Sequence, residues 1–263
     1  MLDFGTFMGM TFEKLIKKEL EQNSSDIFPL IFEDQKYWVK QARATQSSSL
    51  HKFYYFLFPF EVLLPVKAKT AQEALQFETN KLKQFNELGI TTPHIAYQDE
   101  HVFALEDCGK NINSFIRKRD ISKERMYFFI DALLETLAKI HNNGLFHGGA
   151  QARNFTFKDD KVYVIDLEDS FEESIDLELL QFRDLLLLLL SLTKTRASFD
   201  MDYEYVIEKY IALTNNSSFK MRLKQLASKI SWLYCISQIK WVKKLLGRDV
   251  KGFFKLIKAL KEL

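Results

Sequence analysis

The chain has 263 residues, 47% hydrophobic and 27% charged, a balance that excludes a disordered protein. Nine glycines and four prolines exclude collagen-like and linker-rich architectures, and two cysteines, Cys108 and Cys235, cannot build a disulfide framework, which points to a reducing, cytoplasmic setting. The net charge of +2 hides an asymmetry, because Lys220 to Leu263 carries twelve Lys or Arg against Asp249 and Glu262. A region of that kind is either a solvated helical face or an attractor for an anionic partner such as a membrane lipid, a phosphorylated glycan or nucleic acid.

The first twenty residues contain Asp3, Glu13 and Glu19 and no continuous apolar run, so no secretory signal is expected. Thr11 to Asn23 has helical apolar spacing at Phe12, Leu15, Ile16 and Leu20. Two short strands are expected at Ile27–Phe32 and Tyr37–Ala42, around a turn at Glu33-Asp34-Gln35. The aromatic stretch from Phe53 to Val66 contains Glu61 and two prolines, and Leu185 to Leu190 is a run of six leucines. Both fall far short of the roughly 20 apolar residues that a membrane-crossing helix needs.

Thr70 and Glu73 form a capping box that predicts a helix from Ala71 to Leu88, stopped by Gly89. Ile95–Tyr97 and His101–Glu106 read as a strand and its return. Ser122 or Asp120 caps a helix whose Met126, Phe129, Ile130, Leu133, Leu137 and Ile140 share one face, and Gly144 closes it. A hairpin follows at Phe155–Phe157 and Val162–Ile165. From Leu177 the apolar period is helical again, through Trp232 and Trp241 to the end.

The chemistry concentrates in His147–Asp169, HGGAQARNFTFKDDKVYVIDLED. Its hairpin brings Asn154 and Asp166 together, and an amide oxygen beside a carboxylate suits Mg²⁺. The order His147, Asn154 seven residues later, then Asp166 opening Asp166-Leu167-Glu168 resembles the catalytic loop and metal-binding Asp of the protein-kinase-like superfamily. The H-G opening and I-D-x-E ending resemble the lipopolysaccharide core (Kdo/heptose) kinases and the small kinase of the KEOPS complex. The resemblance covers roughly residues 27–195 and implies an α+β, two-lobed kinase-like fold.

In that frame 1–26 is an N-terminal helical extension, and 27–107 is the N-lobe, with an insertion at about 44–69 that holds the aromatic stretch. Residues 108–263 form a helical C-lobe ending in basic helices. The resemblance implies that Lys40, in Tyr37-Trp38-Val39-Lys40, holds the α/β-phosphates of ATP, with Lys67 as its rival, and that Glu78 orients it. It further implies that Glu106 and Cys108 lie at the adenine-binding hinge, that His147 belongs to the catalytic loop, and that Asn154 and Asp166 bind Mg²⁺. Asp184, beside the leucine run, is expected to brace the loop from below.

Two features depart from the pattern. No glycine lies between Gly9 and Gly89, so the Gly-rich phosphate loop is missing, and Gly149 stands where the proton-accepting Asp is expected. Glu168 and Asp169 are candidate substitutes for that base. The expected activity is an ATP- and Mg²⁺-dependent phosphotransferase acting on a sugar hydroxyl of an anionic glycolipid, with membrane contact at the inner face through 53–66 or the basic C-terminus. The alternatives are a pseudokinase scaffold and, ranked below it, a nucleic-acid-associated kinase.

Overall fold

The computed structural model describes residues 11–45, 64–229 and 248–262. Phe53–Leu63, Trp232, Cys235 and Trp241, and with them most of the aromatic stretch and part of the basic region, lie outside the described residues. The architecture is α+β in two lobes, a four-stranded antiparallel sheet and a mainly helical remainder.

Helix α1 (Phe12–Gln22) is capped by Thr11, whose side chain accepts from Lys14 N. Strands β1 (Ile27–Phe32) and β2 (Gln35–Gln41) are joined by Glu33 and Asp34, both at positive φ, the geometry that two-residue hairpin turns require. The turn is therefore one residue tighter than the pattern suggests. The sheet runs β1-β2-β4-β3, with β3 at Ile95–Gln98 and β4 at Val102–Glu106. Period-two alternation on β2 sends Tyr37 and Val39 to one face. There they pack with Phe28, Leu30, Val102 and Ala104 beneath Leu15 and Ile16 of α1. Helix α1 is thus a cover for one face of the sheet rather than an extension beyond it, a role its own periodicity does not reveal.

The opposite face carries Lys40, paired in register with Ile27 on β1 and Phe103 on β4. Behind it lies α2 (Ala71–Glu87), started by the Thr70–Glu73 capping box with both reciprocal bonds made. An isolated bridge between Thr45 and Lys69 joins the two ends of the inserted segment. At its far end Leu64 is buried against Phe171 and Leu180.

A second sheet, β5-β6-β7 (Lys110–Asn111, Phe155–Lys158 and Lys161–Val164), lies at the start of the helical lobe. Between β5 and β6 come the single-turn α3 (Asn113–Ile116) and α4 (Lys123–Asn142), capped by Ser122. The remainder is α5 (Leu177–Leu192), α6 (Tyr203–Thr214), α7 (Ser218–Lys229) and α8 (Arg248–Glu262). Leu185, Leu186, Leu188 and Leu189 are buried in one cluster with Phe129, Leu133 and Leu137 of α4, Val206 and Tyr210 of α6 and Leu256 of α8, and Leu190 packs against it. Leu75, Leu82 and Phe85 of α2 join the same cluster, which fastens the sheet lobe to the helices. Among the described residues no helix is long and apolar enough to cross a membrane.

Because Thr70 satisfies one of the orphan amides of α2, Thr70→Ala should lower the unfolding free energy by about 1 kcal/mol in urea titration.

Candidate active site

Lys40 and Glu78 meet between the sheet and α2. Lys40 Nζ lies 2.7 Å from Glu78 Oε2, 3.1 Å from Glu168 Oε2 and 3.5 Å from Asp166 Oδ1. One ammonium thus gathers carboxylates from α2 and from the segment after β7. Burial alone would lower the Lys40 pKa, but the three carboxylates outweigh it and hold it above the usual lysine value. Burial pushes the Glu78 carboxyl up, opposed by Lys40. Lys67, the alternative lysine, is exposed, and its backbone N–H donates to Ser170 O at 2.8 Å.

A cavity of about 360 Å³ opens beside this cluster. Ile27, Trp38, Leu105 and Ile165 give it apolar walls, Lys40, Asn154 and Asp166 line its polar end, and Glu106 and Cys108 line its rim. Mixed lining of this kind suits a ligand with a flat apolar part and an anionic part. The strand-to-helix connection is pinned by Trp38 Nε1, which donates to Asp107 Oδ1 at 2.8 Å, and by Lys36, 3.1 Å from the same oxygen. The Cys108 thiol accepts from Thr156 Oγ1 at 3.0 Å, and burial raises its pKa. Asp26 and Ile27, where α1 leads into β1, line the space next to Lys40 at the end of the cavity where a Gly-rich loop is missing.

Below the cavity, the fully buried Asp184 accepts from His147 N at 2.6 Å and Gly148 N at 2.9 Å, and contacts His141 Nε2 at 3.4 Å. It braces the loop as expected. Burial would raise its pKa, but the bond from His141 and the positive groups around it hold it below the usual carboxylate range. His147 is also fully buried and does not line the cavity; its Nδ1 accepts from Gly149 N at 3.2 Å, and its ring lies on Phe155. Burial pushes its pKa down to about 4, so the imidazole is neutral near pH 7. Its place is in the framework of the loop, away from the cavity.

Asn154 closes a single 3₁₀ turn (Ala152–Asn154), and its Nδ2 donates to Gly149 O at 2.8 Å. That bond fixes the amide so that its carbonyl oxygen is left as an acceptor. Asp166 has φ +63. The other non-glycine residues with positive φ among those described sit in two-residue hairpin turns or at the cap of α6. Asp166 has no such excuse, and backbone strain of this sort concentrates at functional positions. Asn154 and Asp166 supply an oxygen pair of the kind Mg²⁺ accepts when phosphates and water complete its shell. Among the described residues no group of three or more His, Cys, Asp or Glu is arranged to hold a metal.

Sequence reasoning missed two buried cations. Lys81 of α2 donates to His147 O at 2.9 Å and lies 4.2 Å from the Phe146 ring centroid. Burial lowers its pKa to about 8. Arg183 of α5 donates to Gly148 O and lies 3.8 Å from Asp169 Oδ2. Adjacency of Arg183 to Asp184 was the one available signal; for Lys81, on a predicted helix, there was none.

Gly148 has φ +98, and a Cβ there would stand 2.8 Å from Asp169 Cβ, whereas at Gly149 it would meet Asn154 Nδ2 at 3.3 Å. Gly148→Ala should therefore cost about 2 kcal/mol or more in urea unfolding, and Gly149→Ala clearly less. For Lys81 the unfolded chain holds a proton that the folded chain loses between about pH 8 and 10.5, so this residue's contribution to stability rises with pH across that window. The gain of wild type relative to Lys81→Met between pH 8 and 10 should be roughly 2 kcal/mol in urea titrations.

The model of the RIO domain matches residues 66–206, more than half of the chain. An uncharacterized protein of Haemophilus influenzae is 23% identical over 158 residues, 60% of this chain; the chain spans 59% of the length of that curated relative. Similar solved structures include a gentamicin complex of APH(2'')-IIa, with 12% identity, 96% of this chain and 98% of that one covered and a TM-score of 0.46. Another is the ADP-bound aminoglycoside phosphotransferase APH(2'')-Ib, with 12% identity, 96% and 99% covered and a TM-score of 0.44. By the family match the chain belongs to the RIO-domain family, within the protein-kinase-like superfamily.

Proposed function

We propose that the protein is an ATP- and Mg²⁺-dependent phosphotransferase. The observation that carries this reading is the convergence of Lys40, Glu78 and Asp166, far apart in sequence, at the polar end of one cavity that Asn154 also lines. Ile27, Trp38 and Leu105 would enclose the base, with Glu106 and Cys108 at its edge. Lys40, kept charged by its carboxylates, would hold phosphate oxygens, and Glu78 would keep the ammonium in place. Asn154 and Asp166 would hold Mg²⁺, which supplies neutralisation of phosphate charge when bound.

Transfer of a phosphoryl group needs mainly positioning and electrostatic stabilisation. The absence of an aspartate at 149 therefore weakens such a site without emptying it of chemistry. On the acceptor side, the reading extends to a hydroxyl of an anionic molecule, a glycolipid sugar first, recruited by the basic stretch beyond Lys220. Peripheral contact with the inner face of a membrane belongs to the same reading. Gly149 favours a second one, a scaffold that binds nucleotide without turning it over.

A ligand that binds the folded state alone raises the melting temperature, by about 2.7 kcal/mol of stabilisation at a hundredfold excess over Kd. Millimolar ATP with MgCl₂ should raise the melting temperature by a few degrees, and Lys40→Met and Asp166→Ala should each remove most of that rise. The absence of any shift in the wild-type protein would count against nucleotide binding altogether.

A further inference from the structure

The segment leaving β7 folds back over the His147–Asn154 loop and lays Asp169 onto its two glycines. A Cβ on Gly148 would stand 2.8 Å from Asp169 Cβ and 3.2 Å from Asp169 O. One on Gly149 would stand 3.8 Å from Asp169 Oδ2 and 3.3 Å from Asn154 Nδ2. Gly148 leaves the hollow that Asp169 fills, and the Asp169 carboxylate ends beside the point from which a side chain at 149 would branch. An aspartate at 149 would bring a second carboxylate against the first, and like charges at that distance oppose one another. The two positions are alternative addresses for a single carboxylate.

We propose that Asp169 is the catalytic base of the phosphotransferase, reaching from the neighbouring segment the place that an aspartate at 149 would occupy. The assignment rests on the phosphotransferase reading above and deepens it. The two acidic residues just before it are hydrogen-bonded to a cation, because Lys40 Nζ donates to Asp166 Oδ1 and to Glu168 Oε2. Asp169 pairs with a different cation, Arg183, at 3.8 Å, an ion pair too long for a hydrogen bond, so its oxygens keep room to accept a proton. The side chain is 30% exposed, which leaves it within reach of an entering hydroxyl. Burial of the rest raises its proton affinity, the direction a base requires.

In the step itself the acceptor hydroxyl passes its proton to Asp169 Oδ2 as its oxygen bonds to the γ-phosphorus of the nucleoside triphosphate. The bond from that phosphorus to the β,γ-bridging oxygen breaks, and its electron pair leaves on the nucleoside diphosphate.

Water can serve as the acceptor in the test, with phosphate release from Mg²⁺-ATP as one readout and the ATP-induced melting shift as the other. Asp169→Asn should lose about 10²–10⁴-fold of the release rate while keeping the shift. The double variant Gly149→Asp with Asp169→Gly, which moves the carboxylate to the other address, should recover much of the loss. Should Asp169→Asn also lose the shift, the double variant decides by the same two readouts. Unchanged release in Asp169→Asn overturns the assignment and leaves the phosphotransferase reading standing. No shift in the wild type overturns that reading and this assignment together. Binding without release unless Gly149→Asp is introduced overturns Asp169 alone, and binding without release in any variant leaves a nucleotide-binding scaffold and overturns the assignment.

Discussion

The buried charge of Lys40 is the interaction on which the arrangement of the two lobes depends. Its side chain is 17% exposed and that of Glu78 only 4%, so each loses most of its hydration, and their mutual contact at 2.7 Å is the shortest compensation Lys40 receives. Removing one partner of such a pair leaves an uncompensated charge, at a cost of roughly 3–5 kcal/mol. The pair therefore fixes the register of β2 against α2, since Lys40 must arrive opposite the Glu78 turn of the helix. The additional pull on Glu168 and Asp166 brings in the segment after β7, which belongs to the helical lobe. A cavity with apolar walls and a charged end results from meeting this electrostatic demand with three pieces of chain.

Asp184 plays the corresponding part below. Its carboxylate takes up two consecutive backbone N–H groups, at His147 and Gly148, which no helix or strand would otherwise satisfy. Buried amides without acceptors cost about 1–3 kcal/mol each, so a loop in this shape needs such a brace. Arg183 and Lys81 complete the arrangement by donating to the carbonyls of Gly148 and His147. The loop backbone is thus held at both its donors and its acceptors by side chains from α5 and α2. His147 contributes packing and one acceptor nitrogen, and its neutrality follows from complete burial.

What could be read from the sequence was what local rules control. The Thr70–Glu73 box, the Ser122 cap, the Asp159-Asp160 hairpin and the leucine helix are set by residues within a few positions of one another, and each element lies where its signals place it. The pairing of Lys40 with Glu78 was legible only through resemblance, because an insertion separates them. The docking of α1 on the sheet, the two-residue strand β5 and the burial of Lys81 were not legible. Each depends on which surface faces a partner distant in sequence, and a lysine on an amphipathic helix carries no mark of the aromatic rings it will meet. The commitment of Glu168 to Lys40 escaped for the same reason, although its neighbour Asp166 was singled out.

Gly149 shows how a motif can mislead when it is treated as a string. A catalytic group is defined by where its oxygen lies relative to the reacting atoms, and the chain can deliver that oxygen from more than one segment. Delivery from 149 needs only a side chain on the loop. Delivery from 169 needs the loop to give up bulk at 148, where a Cβ would stand 2.8 Å from Asp169 Cβ, while a Cβ at 149 would stand 3.8 Å from Asp169 Oδ2, in ordinary van der Waals contact. Gly148 and the acidic residue three positions beyond Asp166 are therefore one feature written in two places. An isolated change of Gly149 to aspartate would crowd the loop with charge unless position 169 changed with it. The same geometry leaves no space for a side chain at 148, where φ is +98 and a Cβ would stand 2.8 Å from Asp169 Cβ, and the carbonyl of that glycine takes its cation from α5, as Arg183.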